Sequence, residues 1–288
     1  MWQEYLYPVT VAEAVQMLAD YGGRARVIAG GTDLVLQLRS GERQAFCLVD
    51  ISRIDELRGI TEADEIITIG AATTHAEVAA SPLIRRRAEV LAQAAAEVGS
   101  PQIRNRGTLG GNVLNAQPAA DTALALLALD AQAEIVGQGG AYWLPMSEMY
   151  AGPGVSRVDS STELVRAFRF RGLGWQAGSS YRRLGKCKSI ALPVICAAAV
   201  VHLDGAKFVS AAISLGPVAP RPWRPAAAEA WLAGQPAADE NIAQAAKLAQ
   251  QDAKPRSSLL RCSSAYRREM VAVLVRDTLS SAVAAARR

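Results

Sequence analysis

Histidine is almost missing from this sequence of 288 residues: only His75 and His202 occur. A Ser/His/Asp triad or a histidine-based metal centre has nearly nothing to be built from. Cysteine is sparse too. Cys47, Cys187, Cys196 and Cys262 stand far apart, and no pair has CxxC spacing, so neither a zinc site nor an iron–sulfur cluster is expected on this chain. Long apolar runs are absent. The densest, residues 190–203, is interrupted by Pro193 and closed by Asp204-Gly205, so no membrane span is expected. Met1-Trp2-Gln3-Glu4 lacks the basic-then-apolar opening of a signal peptide, and the expected location is cytoplasmic. The net charge of +4 is scattered along the chain. Its one run, Arg85-Arg86-Arg87, reads as a solvated helix face. No basic stripe is interleaved with aromatics, so nucleic acid is not an expected partner.

What is present is an ordinary globular composition, half hydrophobic and one fifth charged, long enough for two domains. The most informative stretch is Val27-Ile28-Ala29-Gly30-Gly31-Thr32-Asp33-Leu34. Val27 to Ala29 predicts a buried strand, and the two glycines break it. Thr32 or Asp33 then caps a helical run from Leu34 to Leu38. Glycines between a strand and a helix start permit close backbone approach. The free N–H groups there suit an anion, most often a phosphate. A tight turn with no ligand is the competing reading.

The second informative stretch runs from Ser100 through Gln102-Ile103-Arg104-Asn105-Arg106-Gly107-Thr108-Leu109-Gly110-Gly111-Asn112. It is too polar and too rich in glycine for a core element and long for a connector. Thr108, Asn112 and Asn115 offer hydroxyl and amide partners for phosphate and ribityl oxygens; a mobile surface loop is the alternative. Asp121 precedes an apolar helix and either caps it or accepts from a ligand hydroxyl.

Between these lie conventional signals. Thr10 and Glu13, like Thr74 and Glu77, form capping boxes, and in the second His75 is a first-turn residue with no further role. The apolar residues around Glu62-Ala63-Asp64-Glu65 predict a hairpin, and 88–98 a helix. Residues 46–49 and 163–170 predict strands, and 171–174 a linker. Tyr181 to Lys186 is basic and could face an anionic ligand. Residues 194–203 and 207–215 predict a hairpin across Asp204-Gly205, followed by helices at 226–232, 240–252 and 265–286. The C-terminal part is thus expected to be α+β, antiparallel strands with helices on one face.

Ala29-Gly30-Gly31-Thr32-Asp33-Leu34 together with Gln102-Ile103-Arg104-Asn105-x-Gly107-Thr108-Leu109-Gly110-Gly111-Asn112 resembles the FAD-binding subunits of molybdenum hydroxylases. The resemblance continues through Asn115-Ala116-x-Pro118-Ala119-x-Asp121, the Tyr181 segment, Arg224 with Glu229, Leu232 and Gly234, and Tyr266-Arg267. It implies an α+β chain with the PCMH-type FAD fold. Two α/β subdomains, about 1–55 and 56–174, would form the FAD-binding domain 1–174. A C-terminal domain of the carbon monoxide dehydrogenase type would span 175–288.

Carried over residue by residue, Ile28, Ala29, Gly30, Gly31, Thr32, Asp33 and Leu34 would hold the pyrophosphate. Gly107, Thr108, Gly111, Asn112 and Asn115 would form a second clamp, and Asp121 would meet ribityl hydroxyls. Val165 falls where the family packs an aliphatic residue on the flavin. Tyr181, Arg182 and Arg183 fall where an aromatic residue and a lysine lie near the isoalloxazine. The chain departs from the family at Arg183, where lysine is usual, and at Cys187 and Ala191, where arginine and aspartate are usual. No cysteine occurs between Cys47 and Cys187, so the extra [4Fe–4S] cluster of the benzoyl-CoA reductase branch is not expected.

The function implied is an oxidoreductase, an electron-transfer flavoprotein with noncovalent FAD and no catalytic acid, base or metal ligand of its own. Molybdenum cofactor and [2Fe–2S] clusters would sit on a large and a small partner subunit, in a dimer of heterotrimers. A stand-alone flavin reductase or oxidase on the same fold is the alternative. A nucleotide- or phosphate-binding module without redox chemistry is a third reading.

Overall fold

A computed structural model describes residues 2–186, 192–259 and 262–288. They form two compact units. The first comprises Met1–Val78, Pro101–Ala116 and Asp130–Arg171, and the second Ala79–Ser100, Gln117–Leu129 and Gly172–Arg288.

The first unit holds β1 (Glu4–Leu6), β2 (Ala25–Ile28) and β3 (Cys47–Asp50) in a parallel sheet of order β1-β3-β2. Parallel strands need crossovers, and the first is the helix Val11–Asp20. Thr10 caps it by accepting from the Glu13 N–H, and Gly22 and Gly23, both at positive φ, follow its end. Its buried residues Val11, Ala14, Val15 and Leu18 recur at helical spacing and enter one core with Cys47, Val49, Ile54, Leu57 and Leu164. A second, antiparallel sheet contains β4 (Ile60–Ala63), β5 (Ile66–Gly70), β6 (Gln132–Gly137), β7 (Gly140–Pro145) and β10 (Glu163–Arg171), in the order β4-β5-β10-β6-β7. The β4–β5 turn places Asp64 and Glu65 at φ 50° and 64°, the left-handed pair that a two-residue hairpin requires. The short strands β8 (Tyr150–Gly152) and β9 (Val155–Ser156) pair with each other.

The second unit is built on an antiparallel sheet of β11 (Ala177–Leu184), β12 (Ile195–Asp204) and β13 (Lys207–Gly216), with β12 central. Ile195, Ala197, Ala199, Val201 and Leu203 of β12 enter the core formed with the helices Ala226–Leu232, Asp239–Asp252 and Ser264–Ala286. This is the expected helix-covered face. Cys196, Ala198 and Val200, which point the other way, are equally buried. That second face is covered by two helices from earlier in the chain, Glu89–Glu97 and Asp121–Ala128. The Val90 N–H donates to Ser179 Oγ, and Ser214 Oγ donates to the Leu124 carbonyl. At Gly178 the long C-terminal helix comes so close that a Cβ would stand 2.1 Å from the Ala282 carbonyl oxygen.

Among the described residues, no helix is long and apolar enough to cross a membrane, and no His/Cys/Asp/Glu cluster could hold a metal ion.

Candidate functional site

The two glycine stretches, distant in sequence, meet in the first unit. Ile28 ends β2, and the turn Ala29–Asp33 leads into the helix Leu34–Arg39, so strand, turn and helix fall where the apolar pattern places them. The second stretch is not a loop. It contains the helices Pro101–Arg104 and Leu109–Leu114, and Gly107, Thr108, Leu109 and Gly110 are buried. Gly110 and Gly111 lower its helix propensity and hid the second helix; its Thr108 cap was the signal available.

The glycines have different jobs. A Cβ on Gly30 would lie 2.0 Å from the Arg106 carbonyl oxygen, so this glycine lets the two stretches touch backbone to backbone. Gly110 likewise packs on Ala71, at 2.9 Å. Gly31 has φ +71°, the left-handed conformation that turns the chain into its helix. Gly111 is exposed, and a Cβ there would meet only Thr108 Oγ, at 3.0 Å.

Donors also differ between the stretches. In the first, among the described residues, no backbone carbonyl or side chain accepts from the N–H groups of Gly30, Gly31, Thr32 or Asp33. Asp33 stands at the N-cap position but makes no capping bond. Burial raises its pKa, opposed by the Thr32 and Asn115 side chains. In the second stretch the N–H groups are already used: Leu109 donates to Thr73, Gly110 to Ala71, and Gly111 to Thr108 Oγ. Thr108 is therefore a buried cap. Beyond the cap the second stretch has the half-buried Asn112 and Asn115 and the exposed Gly111. Gln37, which the sequence reading passed over, donates to Asn115 Oδ1 at 3.2 Å. It lies one helical turn beyond Asp33, a spacing that was legible.

His75 lies beneath the second stretch. Its backbone N–H donates to the Gly107 carbonyl, and its ring carbon Cδ2 would be 3.3 Å from a Cβ on Gly107. Its Nδ1 is buried with no partner among the described residues. Burial, reinforced by the Arg104 charge, pushes its pKa down to about 4. It is more than a first-turn residue of the Thr74–Glu77 capping box, which is itself formed as expected.

Val165 is a buried strand residue opposite Ile135, beside a bulge where Arg166 is the extra residue. Arg166 binds the Glu134 carboxylate through two nitrogens.

The remaining candidates belong to the second unit. Asp121 opens the helix Asp121–Ala128 one position inside its N-cap, Ala120, and does not cap it. Its carboxylate accepts from the Tyr181 hydroxyl and, at 3.6 Å, from the Cys196 thiol, with Arg183 Nε at 3.7 Å. Burial raises its pKa, opposed by Tyr181 and Arg183; burial also raises Tyr181 and Cys196. Alternation along β11 turns Arg182 to the other side, where it binds Ser281 Oγ, while Arg183 donates to the Glu97 carbonyl. Tyr181 and Arg183 thus share a face that Arg182 does not. Cys187 and Ala191 lie outside the described residues. Arg224 and Glu229 form a two-nitrogen ion pair whose carboxylate also takes the Ile213 N–H, and buried Arg267 donates to the Val194 and Arg256 carbonyls. All three residues bond within this unit.

The family model for the FAD binding domain in molybdopterin dehydrogenase matches residues 2–170, and that for the CO dehydrogenase flavoprotein C-terminal domain matches 180–282. The chain belongs to the FAD-binding subunits of the molybdenum hydroxylase family. A xanthine dehydrogenase FAD-binding subunit from Escherichia coli O157:H7 is 32% identical, covering 98% of this chain and 96% of the relative. The carbon monoxide dehydrogenase medium chain of Hydrogenophaga pseudoflava is 30% identical over 97% of this chain and 96% of its own. Among solved structures, carbon monoxide dehydrogenase from that organism, in a form lacking the Mo-pyranopterin moiety, superposes with a TM-score of 0.94 at 31% identity, over 99% of this chain and 98% of that one. Quinoline 2-oxidoreductase from Pseudomonas putida 86 superposes at 0.92 with 25% identity, over 100% and 99%. The cofactor is FAD, and the glycine stretches fit it: among the described residues one turn presents N–H donors with no protein acceptor for a diphosphate, and the neighbouring segment presents amides beside the exposed Gly111.

Proposed function

We propose that this chain is the flavin-bearing member of a complex of three different polypeptides, doubled by a two-fold axis. The organic substrate is oxidised at a molybdenum cofactor on a large subunit. Electrons pass through [2Fe–2S] clusters of a small subunit to this chain and leave to an external acceptor. FAD, when bound, supplies the step between one-electron donors and that acceptor; the protein positions it and tunes it. Residues 1–174 form the FAD-binding domain and 175–288 the C-terminal domain, in the cytoplasm.

The observation that carries this reading is the meeting of the two glycine stretches with four N–H groups of Gly30–Asp33 left unused. Those donors take the diphosphate. Gly31 sets the turn, Gly111 leaves room beside it, and Asn112 and Asn115 face the sugar and phosphate oxygens. Asp121, Tyr181 and Arg183 form a separate cluster within the second unit. No histidine or cysteine lies in either glycine stretch, so FAD is held noncovalently: acid precipitation should release all the flavin, and a yellow pellet would contradict this.

Expression alone and together with the neighbouring genes, followed by size exclusion and metal analysis, tests the assembly. The co-expressed chain should elute with iron- and molybdenum-containing subunits. A stable monomer that binds neither and reduces a substrate by itself would establish a stand-alone flavin reductase instead.

A further inference from the structure

The second glycine stretch is seated on a strip of chain, 71–75, that runs antiparallel to it. The Gly110 N–H donates to the Ala71 carbonyl at 2.8 Å, the Leu109 N–H to Thr73 at 2.9 Å and the His75 N–H to Gly107 at 3.0 Å, with Thr74 opposite Thr108. A Cβ on Gly110 would stand 2.9 Å from that of Ala71. The strip is held at its start by two carbonyls. The Ala71 N–H donates to Arg166 at 2.9 Å and the Ala72 N–H to Leu57 at 2.7 Å.

Arg166 is the extra residue of the bulge in β10. Val165 stands opposite Ile135 and Ala167 opposite Glu134, and Arg166 falls between. An unpaired residue disrupts the ladder locally, and a slip of one residue turns each side chain to the other face. Here the bulge is clipped to the residue it faces. Arg166 Nε donates to Glu134 Oε2 at 2.8 Å, and a second nitrogen donates to Oε1. The Glu134 side chain is only 10% exposed, so the grip is anchored on the sheet. Two nitrogens on one carboxylate fix direction as well as distance. An apolar pair could fill this place at similar stability; what the ion pair adds is register. We infer that the Glu134–Arg166 pair is a positioning device for the cofactor: by pinning the bulge it fixes the Arg166 carbonyl and, through Ala71, the place at which Gly110, Gly111 and Asn112 meet FAD. The inference rests on the reading that places FAD on the glycine stretches. All of these residues belong to the first unit.

Arg166→Met combined with Glu134→Leu removes the clip and leaves no buried charge unpaired. The full chain carrying both changes should melt within a few degrees of wild type. Its FAD affinity, read by quenching of flavin fluorescence, should fall by about tenfold, the scale for loss of an outer supporting contact. In the flavin-free chain the Ala71 and Gly110 amides should exchange faster with deuterium, while those of the helix Ser264–Ala286 keep their protection. Arg166→Lys keeps the charge but not the two-nitrogen grip. It should show the same pattern with a smaller loss, and it decides the matter if the double variant does not fold. Wild-type FAD affinity in both variants, losses that merely track the melting temperature, or unchanged exchange at Ala71 and Gly110 would each overturn the inference. Gly111→Val separates this from the site itself. If that variant also keeps full affinity, the glycine stretches are not the FAD site; if it loses flavin while the double variant does not, only the role of the ion pair falls.

Discussion

The two glycine stretches look alike in sequence and behave oppositely in the fold. The first, at Gly30-Gly31, leaves its N–H groups without acceptors among the described residues. The second, at Gly110-Gly111, has its N–H groups satisfied by Ala71, Thr73 and the Thr108 hydroxyl. A glycine pair before a helix is thus not by itself an anion site. Whether donors remain depends on what lies alongside: the turn after β5 supplies the Ala71 and Thr73 carbonyls to Gly110 and Leu109, whereas among the described residues no carbonyl takes the N–H groups of Gly30–Asp33.

The largest effect expected is at Gly30, where the two stretches touch. Gly30→Ala forces a methyl group to 2.0 Å from the Arg106 carbonyl oxygen, and both sides are backbone. It should cost about 4 kcal/mol, on the scale of severe core overpacking, and disorganise both stretches. Urea unfolding of the flavin-free protein measures this; a loss below about 1 kcal/mol would mean that the contact is soft.

Next comes acid, read at His75 beneath the second stretch. His75, beneath Gly107, has its pKa lowered to about 4 by burial and by Arg104. Unfolded, it titrates near 6.5, so between these values the unfolded chain binds more protons than the folded one. Stability should therefore fall as pH drops from about 6.5 to about 4, by up to about 3 kcal/mol, and this contribution changes no further below that. Subtracting the pH profile of His75→Gln isolates it; parallel profiles would show that the imidazole is not buried in solution.

Gly111→Val is the cleanest probe of ligand space, because the site is exposed and φ there is not positive. FAD affinity should drop by about a hundredfold, or about 2.7 kcal/mol, with the melting temperature within a few degrees of wild type. Gly31→Val should also lose flavin, but it adds strain at φ +71°. Full flavin occupancy in Gly111→Val would remove the second stretch from the site.

Much of this was legible beforehand, and the rest was not, for physical reasons. The Asp204-Gly205 hairpin and the helices at 226–232, 239–252 and 264–286 follow from local periodicity and caps, and they stand within a residue or so of expectation. The meeting of the glycine stretches depends on parallel sheet topology, which no local pattern encodes. The burial of both faces of β12 depends on helices contributed from 89–97 and 121–128. Tyr181, Arg182 and Arg183 read as one basic cluster, yet strand alternation divides them, and that consequence of period two was available. The hydrogen bonds of Asp121 with Tyr181 and Cys196 join distant segments and could not be inferred from spacing.

The smallest effect expected is also the most direct test of the contrast between stretches. Thr108 and Asp33 both stand at N-cap positions of six-residue helices, but only Thr108 makes the capping bond, to the Gly111 N–H at 3.1 Å. Thr108→Val keeps the shape and removes the hydroxyl, leaving a donor without its acceptor; about 1 kcal/mol should be lost from the flavin-free protein. Asp33→Asn removes a charge that caps nothing, and its cost should be a few tenths of a kcal/mol at most, within the scatter of surface changes. The asymmetry should appear as two distinct midpoints in denaturant with equal slopes. Equal losses would mean that Asp33 caps its helix in solution after all, so that the first turn does not keep its donors open and the two stretches are built alike.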